Sequence, residues 1–180
     1  SFGAMRQSIV DQMSSQMDSL LEKLWTNRAV DLPIKTKKDA IILASIVEKE
    51  TGLAAERGRI AGVFINRLRL GMRLESDPTV RYAITGGKRK LARGLKKSEL
   101  RREHPFNTYR VHGLPPGPIC NPGKEAIAAV LNPERTSALF FVADGTGGHI
   151  FSDTLREHLK AVRKWREIER SLRRREKQDQ

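Results

Sequence analysis

The stretch TKKDAIILASIVEKETG, residues 36–52, sets a helix-capping residue type before an apolar run and a glycine after it. Thr36 is placed to accept a hydrogen bond from the first turn, which predicts a helix over residues 37–51, with Gly52 as its stop. On such a helix Glu50 lies above Ile46 and Val47 and, two turns back, Leu43. It therefore falls on the apolar stripe. Glu48 lies above Ala44 and Ser45, nearer the flank. A carboxyl pressed against apolar surface has its charged form disfavoured, and an acid kept protonated near neutrality can give a proton to a leaving group. The plainer reading has Gly52 turning Glu50 out into water. Lys49, on another face, is a neighbouring cation that would work against a raised pKa.

Working outward, apolar residues at Ile9, Met13, Met17, Leu20, Leu21 and Leu24 predict an amphipathic helix over residues 6–27. DLPIKTK (31–37) is a connector. A further helix is expected over residues 54–70, with Ile60, Val63, Phe64 and Leu68 on one side and Gly71 at its end. SDPTV (76–80) reads as a helix start with Asp77 as N-cap and Pro78 at the first helical position, the short helix ending near Gly86-Gly87. Residues 88–102 carry eight lysines and arginines and read as an exposed loop with one helical turn. HPFNTYRVHGLPPGPICNPG (104–123) is too rich in Pro and Gly for regular structure, and a loop of that length is more often functional than filler. Asn121-Pro122 opens a helix through Leu131. SALFFVADGTGGHIFSDT (137–154) reads as a hairpin turning over residues 144–148. A last helix begins near Asp153, with Leu155, Leu159, Val162, Trp165, Ile168 and Leu172 at helical spacing. The expected class is α+β, mostly α. Expected divisions are a cloning remnant (1–5), an N-terminal helix and connector (6–36), a core (37–160) and a basic C-terminal helix and tail (161–180).

The chain has 180 residues and a net charge of +13, so an anionic partner is the first thing composition suggests. A merely solvated surface is the other reading. The single Cys120 excludes an intrachain disulfide and a cysteine-rich zinc site. No apolar run is long enough to span a bilayer, and no signal peptide is visible. The four histidines, His104, His112, His149 and His158, match no metal-binding spacing; His149 is the one most suited to a cleft, although an ordinary hairpin role fits it too. ADGTGGH (143–149) lacks the Gly-Lys-Ser/Thr ending of a phosphate loop and fits a hairpin turn better.

ASIVEKET (44–51), VFINRLRLGMRLESDPTVRYAI (63–84), NTYRVHGLPPGPICNPG (107–123) and LFFVADGTGGHIFSDTLREH (139–158) together resemble the successive motifs of the endolytic murein transglycosylases, the MltG (YceG-like) family. The resemblance runs in order over about residues 37–158. It implies a lysozyme-like catalytic domain of a bacterial protein held in the cytoplasmic membrane and facing the cell wall, its membrane helix and LysM-like module lying ahead of this segment. It implies a lyase that cuts peptidoglycan glycan strands internally at the MurNAc–GlcNAc β-1,4 bond, with no metal or cofactor and with peptidoglycan synthases as partners. The family's catalytic glutamate maps onto Glu50, and Thr51 stands where other lytic transglycosylases carry a serine. Glu48 is the fallback. One departure is Phe106, where the family often has a tyrosine before NTY; a role needing that phenol hydroxyl cannot operate here.

Ordinary glycosidases use two carboxyl groups. The resemblance implies one, because the MurNAc C6 hydroxyl attacks its own C1 and an intramolecular nucleophile replaces activated water. Glu50 would act first as acid and then as base, with the MurNAc N-acetyl group assisting at C1. Ser76, Asp77, Thr79, Asn107, Thr108 and Tyr109 offer hydroxyls, an amide and a ring suited to sugar. Asp77 also reads as a helix cap and Asn107 as a turn former. GLPPGPICNPG (113–123) reads as a rigid groove wall. Two rivals stand beside this. The basic clusters at 88–102 and in RRREK (173–177) suit nucleic-acid phosphates, although no nucleic-acid motif accompanies them; they equally suit wall or headgroup anions. A non-catalytic scaffold recruiting wall enzymes through its last helix is the other.

Overall fold

The computed structural model describes residues 5–178. Its elements run α1 (Arg6–Thr26), α2 (Lys37–Glu50), a single 3-10 turn (Ala54–Glu56), α3 (Arg57–Arg69), α4 (Asp77–Thr85), α5 (Lys97–Arg101), α6 (Lys124–Leu131), β1 (Phe140–Ala143), β2 (His149–Ser152) and α7 (Leu155–Gln178). The class is α+β, mostly α, as the periodicities require. No helix among the described residues is long and apolar enough to cross a membrane.

α2 is the central helix. Thr36 accepts from the Asp39 backbone N–H while the Asp39 carboxylate accepts from the Thr36 N–H, a reciprocal cap that satisfies two donors at once. Behind it Leu43, Ala44, Ile46 and Val47 are fully enclosed, packed with Ile60 and Phe64 of α3 and with Ile127, Val130 and Leu131 of α6. Ser45 sits in the same interior, where its hydroxyl donates to the Ile42 carbonyl and accepts from the Ile119 N–H. The Pro-rich loop is thereby fastened to α2.

α3 positions the hairpin. Asn66 Nδ2 donates to the carbonyls of Thr136 and Ala138, and Arg67 Nε donates to that of Leu139 at 2.6 Å. These bonds hold the extended segment that leads into β1. Gly62 lets that segment approach, since a Cβ there would lie 2.5 Å from the Glu134 carbonyl oxygen. Gly62→Ala should therefore destabilise the domain by about 1–3 kcal/mol although alanine is the better helix former. A urea midpoint equal to or above that of the unaltered chain would show that the segment simply moves away.

β1 and β2 pair antiparallel, Phe141 opposite Phe151 and Ala143 opposite His149. Phe141 meets Phe64 edge-on, with ring centroids 5.8 Å apart. α7 packs across both strands.

Four expectations need correction. The N-cap of α4 is Ser76, which makes Asp77 its first helical residue and Pro78 its second. Leu155 and Leu159 face solvent, whereas Val162, Trp165 and Ile168 lie on the inward side of α7 as expected, joined there by His158 and Ala161. Leu172, and most of the RRREK run, lie outside the described side chains. Ile9 and Met13 are exposed, so α1 packs only through its C-terminal half, where Met17, Leu20, Leu21 and Leu24 reach the core. α6 begins at Lys124 with Gly123 as its N-cap, two residues beyond Pro122. Residues 1–4 of the expected remnant lie outside the described residues.

Candidate active site

α2 ends at Glu50, and the chain leaves it in an extended conformation at Thr51 (φ −137°, ψ 141°). Thr51 is buried, its hydroxyl accepting from the Leu53 N–H. A rigid capped helix thus carries an acid at its last position, and that acid opens onto a cleft of about 370 Å³. Burial pushes the Glu50 carboxyl up to about 7; the negative charge of Asp77 adds to the shift, while the nearby Ser76 hydroxyl and the Arg67 guanidinium oppose it. Ser76 Oγ is itself enclosed and makes no hydrogen bond of good geometry. It is close enough to Glu50 to favour the carboxylate without being fixed to it.

The second wall comes from the start of α4 and the segment at residues 107–109. Asp77 and Tyr109 both line the cleft, and the Tyr109 hydroxyl donates to Asp77 Oδ1 at 2.7 Å. Burial and the Asp77 charge push the Tyr109 phenol well above its ordinary range, so it stays protonated as that donor. Behind this pair lies a buried hydroxyl cluster. Thr79 Oγ1 is 2.8 Å from Thr108 Oγ1, Thr79 donates to the Ser76 carbonyl, and Thr108 Oγ1 accepts from the Ser76 N–H. Asn107 gathers the carbonyls of Glu99, Leu100 and Arg102 with its Nδ2 and takes the Tyr109 N–H on its Oδ1. Of the residues expected from sequence, Glu50, Asp77 and Tyr109 line the cleft and Ser76 touches its acid. Thr79, Thr108 and Asn107 are enclosed, their hydrogen-bonding groups turned to protein. Phe106 packs on Tyr82, with centroids 4.8 Å apart.

Three polar residues of the cleft were not anticipated. Arg67 reaches it from α3, 7% exposed, with Nη1 donating to the carbonyls of Arg73 and Leu74 and to Glu75 Oε2 at 3.2 Å. Glu75 itself has a left-handed backbone (φ 53°), sparsely populated by any residue but glycine. His158 comes from α7, beside Val162. Phe141 and Val142 of β1 supply apolar lining. The signal for Arg67 was present: position 67 shares a helical face with Phe64, Val63 and Ile60, so a charge there sits on the apolar stripe as Glu50 does.

Other expected groups stand elsewhere. Glu48 Oε2 accepts from the Gly123 N–H at 3.2 Å and so closes the start of α6. His149 does not line the Glu50 cleft; its Nδ1 is 2.7 Å from Glu56 Oε2, and its backbone N–H donates to Glu56 Oε1. That double contact ties the hairpin to the turn that follows Glu50. No group of three or more His, Cys, Asp or Glu among the described residues is arranged to hold a metal ion.

Residues 2–164 match the YceG-like family. Two curated relatives bear the name endolytic murein transglycosylase. That of Bacillus subtilis is 45% identical over 125 residues, covering 69% of this chain and 34% of its own length. That of Streptococcus pneumoniae is 34% identical over 151 residues, covering 81% of this chain and 26% of its own. A 2.6 Å crystal structure of a YceG-like protein from Listeria monocytogenes superposes with a TM-score of 0.75 at 35% identity, over 89% of this chain and 50% of that one. The chain therefore spans about a third or less of those curated relatives and half of the solved one. With the family matched over nearly its whole length, and its fold matched by a solved structure, this chain belongs to the YceG-like family.

Proposed function

We propose that this chain is the catalytic region of an endolytic peptidoglycan lytic transglycosylase, cleaving the MurNAc–GlcNAc β-1,4 bond within glycan strands to leave 1,6-anhydro-MurNAc ends. The observation that carries the proposal is Glu50: an acid at the end of a buried helix, its pKa raised to about 7, lining a cleft of about 370 Å³. The names borne by the relatives point to the same polymer.

In this reading Glu50 donates its proton to the glycosidic oxygen as the bond from MurNAc C1 breaks. The C6 hydroxyl of the same MurNAc forms the new bond to C1 and loses its proton to the Glu50 carboxylate. One proton leaves Glu50 and one returns, so no water is consumed and the residue is reset. Arg67 stabilises the carboxylate during the interval, as the opposing sign of its effect on Glu50 requires. The other carboxylates are engaged: Glu75 with Arg67, and Asp77 with the Tyr109 hydroxyl. That favours one acid over the two of a hydrolase. The full-length protein's place at the cell-wall side of the membrane, and any association with wall synthases, belong to the same proposal.

The test is mass spectrometry of uncrosslinked glycan strands incubated with the chain. Internal fragments ending in 1,6-anhydro-MurNAc support it, whereas reducing ends would mean hydrolysis through a second carboxylate, Asp77 or Glu75. A folded chain that leaves strands intact while shifting nucleic acid in a salt-dependent manner would support the basic-surface alternative.

The pH profile is a further expected outcome. The first step needs Glu50 protonated, so kcat/KM should fall on the alkaline side with a midpoint of about 7. A rate that stays flat to about two pH units above that value would remove Glu50 as the acid.

A further inference from the structure

His158 is a polar side chain lining the cleft whose ring makes no hydrogen bond to any described residue. It reaches the cleft from the first turns of α7, stacking on Phe140 with ring centroids 5.1 Å apart and planes at 22°. The same Phe140 ring carries the Arg67 guanidinium at 5.1 Å. His158 Nδ1 is enclosed and has no hydrogen-bond partner. Nε2 makes no hydrogen bond within the described residues either, and it is not among the enclosed unpartnered atoms, so it is the ring nitrogen that keeps some access, on a residue that lines the cleft. Enclosure and the Arg67 charge both lower the imidazole's pKa, with Glu75 opposing, so the neutral ring is favoured over the charged one.

A neutral imidazole has one N–H. An enclosed N–H without an acceptor is the rarer and costlier arrangement, so the proton is assigned to Nε2. His158 then presents a donor to the cleft. It is held in place by its stack on Phe140, in the cleft that is also lined by Glu75, whose backbone is strained and whose carboxylate accepts from Arg67. Backbone strain of this kind concentrates at ligand-holding positions. An unpaired donor in the same cleft as a buried acid suits an oxygen acceptor on a bound ligand.

We propose that His158 is a substrate-binding residue of the cleft, its Nε2–H donating to a sugar hydroxyl or to an acetamido carbonyl oxygen of the saccharide that spans Glu50. The identity of the ligand as an N-acetylated glycan rests on the function proposed above; the presence of a donor site does not.

The test compares the unaltered chain with His158→Phe and His158→Gln on soluble uncrosslinked glycan strands. Phenylalanine keeps a ring on Phe140 but removes both nitrogens, and glutamine restores an N–H donor. His158→Phe should raise KM about tenfold with kcat changed much less, the size expected for one lost hydrogen bond. Its melting temperature should stay close to that of the unaltered chain, and His158→Gln should recover part of the loss. An unchanged KM in a folded His158→Phe overturns the proposal. So does a fall in melting temperature of equal size in both variants, since that marks a packing role. If the unaltered chain does not cleave strands, the reaction proposed above fails, and His158 is then judged by strand binding alone. A tenfold weaker affinity in His158→Phe keeps the donor site, and equal affinity removes it.

Discussion

Glu50→Gln is expected to abolish strand cleavage, by at least about 10³-fold, while the domain stays folded. The size follows from the proposed use of one residue twice: an amide can neither protonate the leaving oxygen nor accept the C6 hydroxyl proton. A second readout separates this from a trivial loss of structure. Burial lifts the Glu50 pKa from its ordinary carboxyl value to about 7, so between those values the folded chain binds more protons than the unfolded one. The sign is then fixed. Stability is highest while Glu50 is protonated in both states, and it falls as pH rises through the unfolded value towards the folded one. Above about pH 8 the unaltered chain carries a destabilisation of about 3 kcal/mol from ionising this residue, as an order of magnitude.

Glutamine stays neutral and escapes that cost. The inactive variant should therefore melt higher than the unaltered chain at alkaline pH and much the same near about pH 4. An enzyme that gains stability by losing its acid has been paying for function at that residue. If the variant is inactive and also less stable at alkaline pH, Glu50 serves the fold and another acid must be sought. If it retains activity, Glu48 and Asp77 are next.

Most of the helices and the hairpin were readable because each has a local cause. Thr36 and Asp39 cap α2, the apolar spacings of α2 and α3 fit one face, and DGTGG turns between two β-rich runs. Glu50 was legible for a complementary reason, as a violation of the pattern around it. The misreadings have physical causes too. Leu155 and Leu159 fit helical spacing, but spacing gives a face and not its direction. The hairpin packs on the side of α7 that carries His158, Ala161 and Val162. Asn107 and the two threonines suit sugar by their chemistry, yet the neighbouring backbone needs the same groups: Asn107 serves the Leu100 and Arg102 carbonyls, and the threonines serve the Ser76 amide and carbonyl. His158 and Glu75 depend on how the loop after α3, the hairpin and α7 converge, which no local pattern expresses.

Arg67 shows the same kind of local violation as Glu50, and its replacement should produce the largest loss of stability. Its guanidinium serves the Leu139, Arg73 and Leu74 carbonyls and the Glu75 carboxylate, and it is almost wholly enclosed. Arg67→Met keeps much of the apolar stem but strands the Leu139, Arg73 and Leu74 carbonyls, and losing a charged donor at several partly buried acceptors costs about 3–5 kcal/mol together, with the half-exposed Glu75 adding little. For a domain of this size that lowers the melting temperature by on the order of 10 °C. Lysine should not rescue it, because a single ammonium cannot serve Leu139 from one edge and Leu74 from the other. Arg67 also stabilises the Glu50 carboxylate, so in whatever fraction remains folded the alkaline limb of the pH profile should move upward. The two effects are separable. A variant that melts normally but shifts the limb would make Arg67 an electrostatic partner only. One that melts early with the limb unmoved would make it purely a clamp between α3, the loop and the hairpin. Both effects together are expected, because the residue that fixes the strand beside the acid also places a positive charge near it.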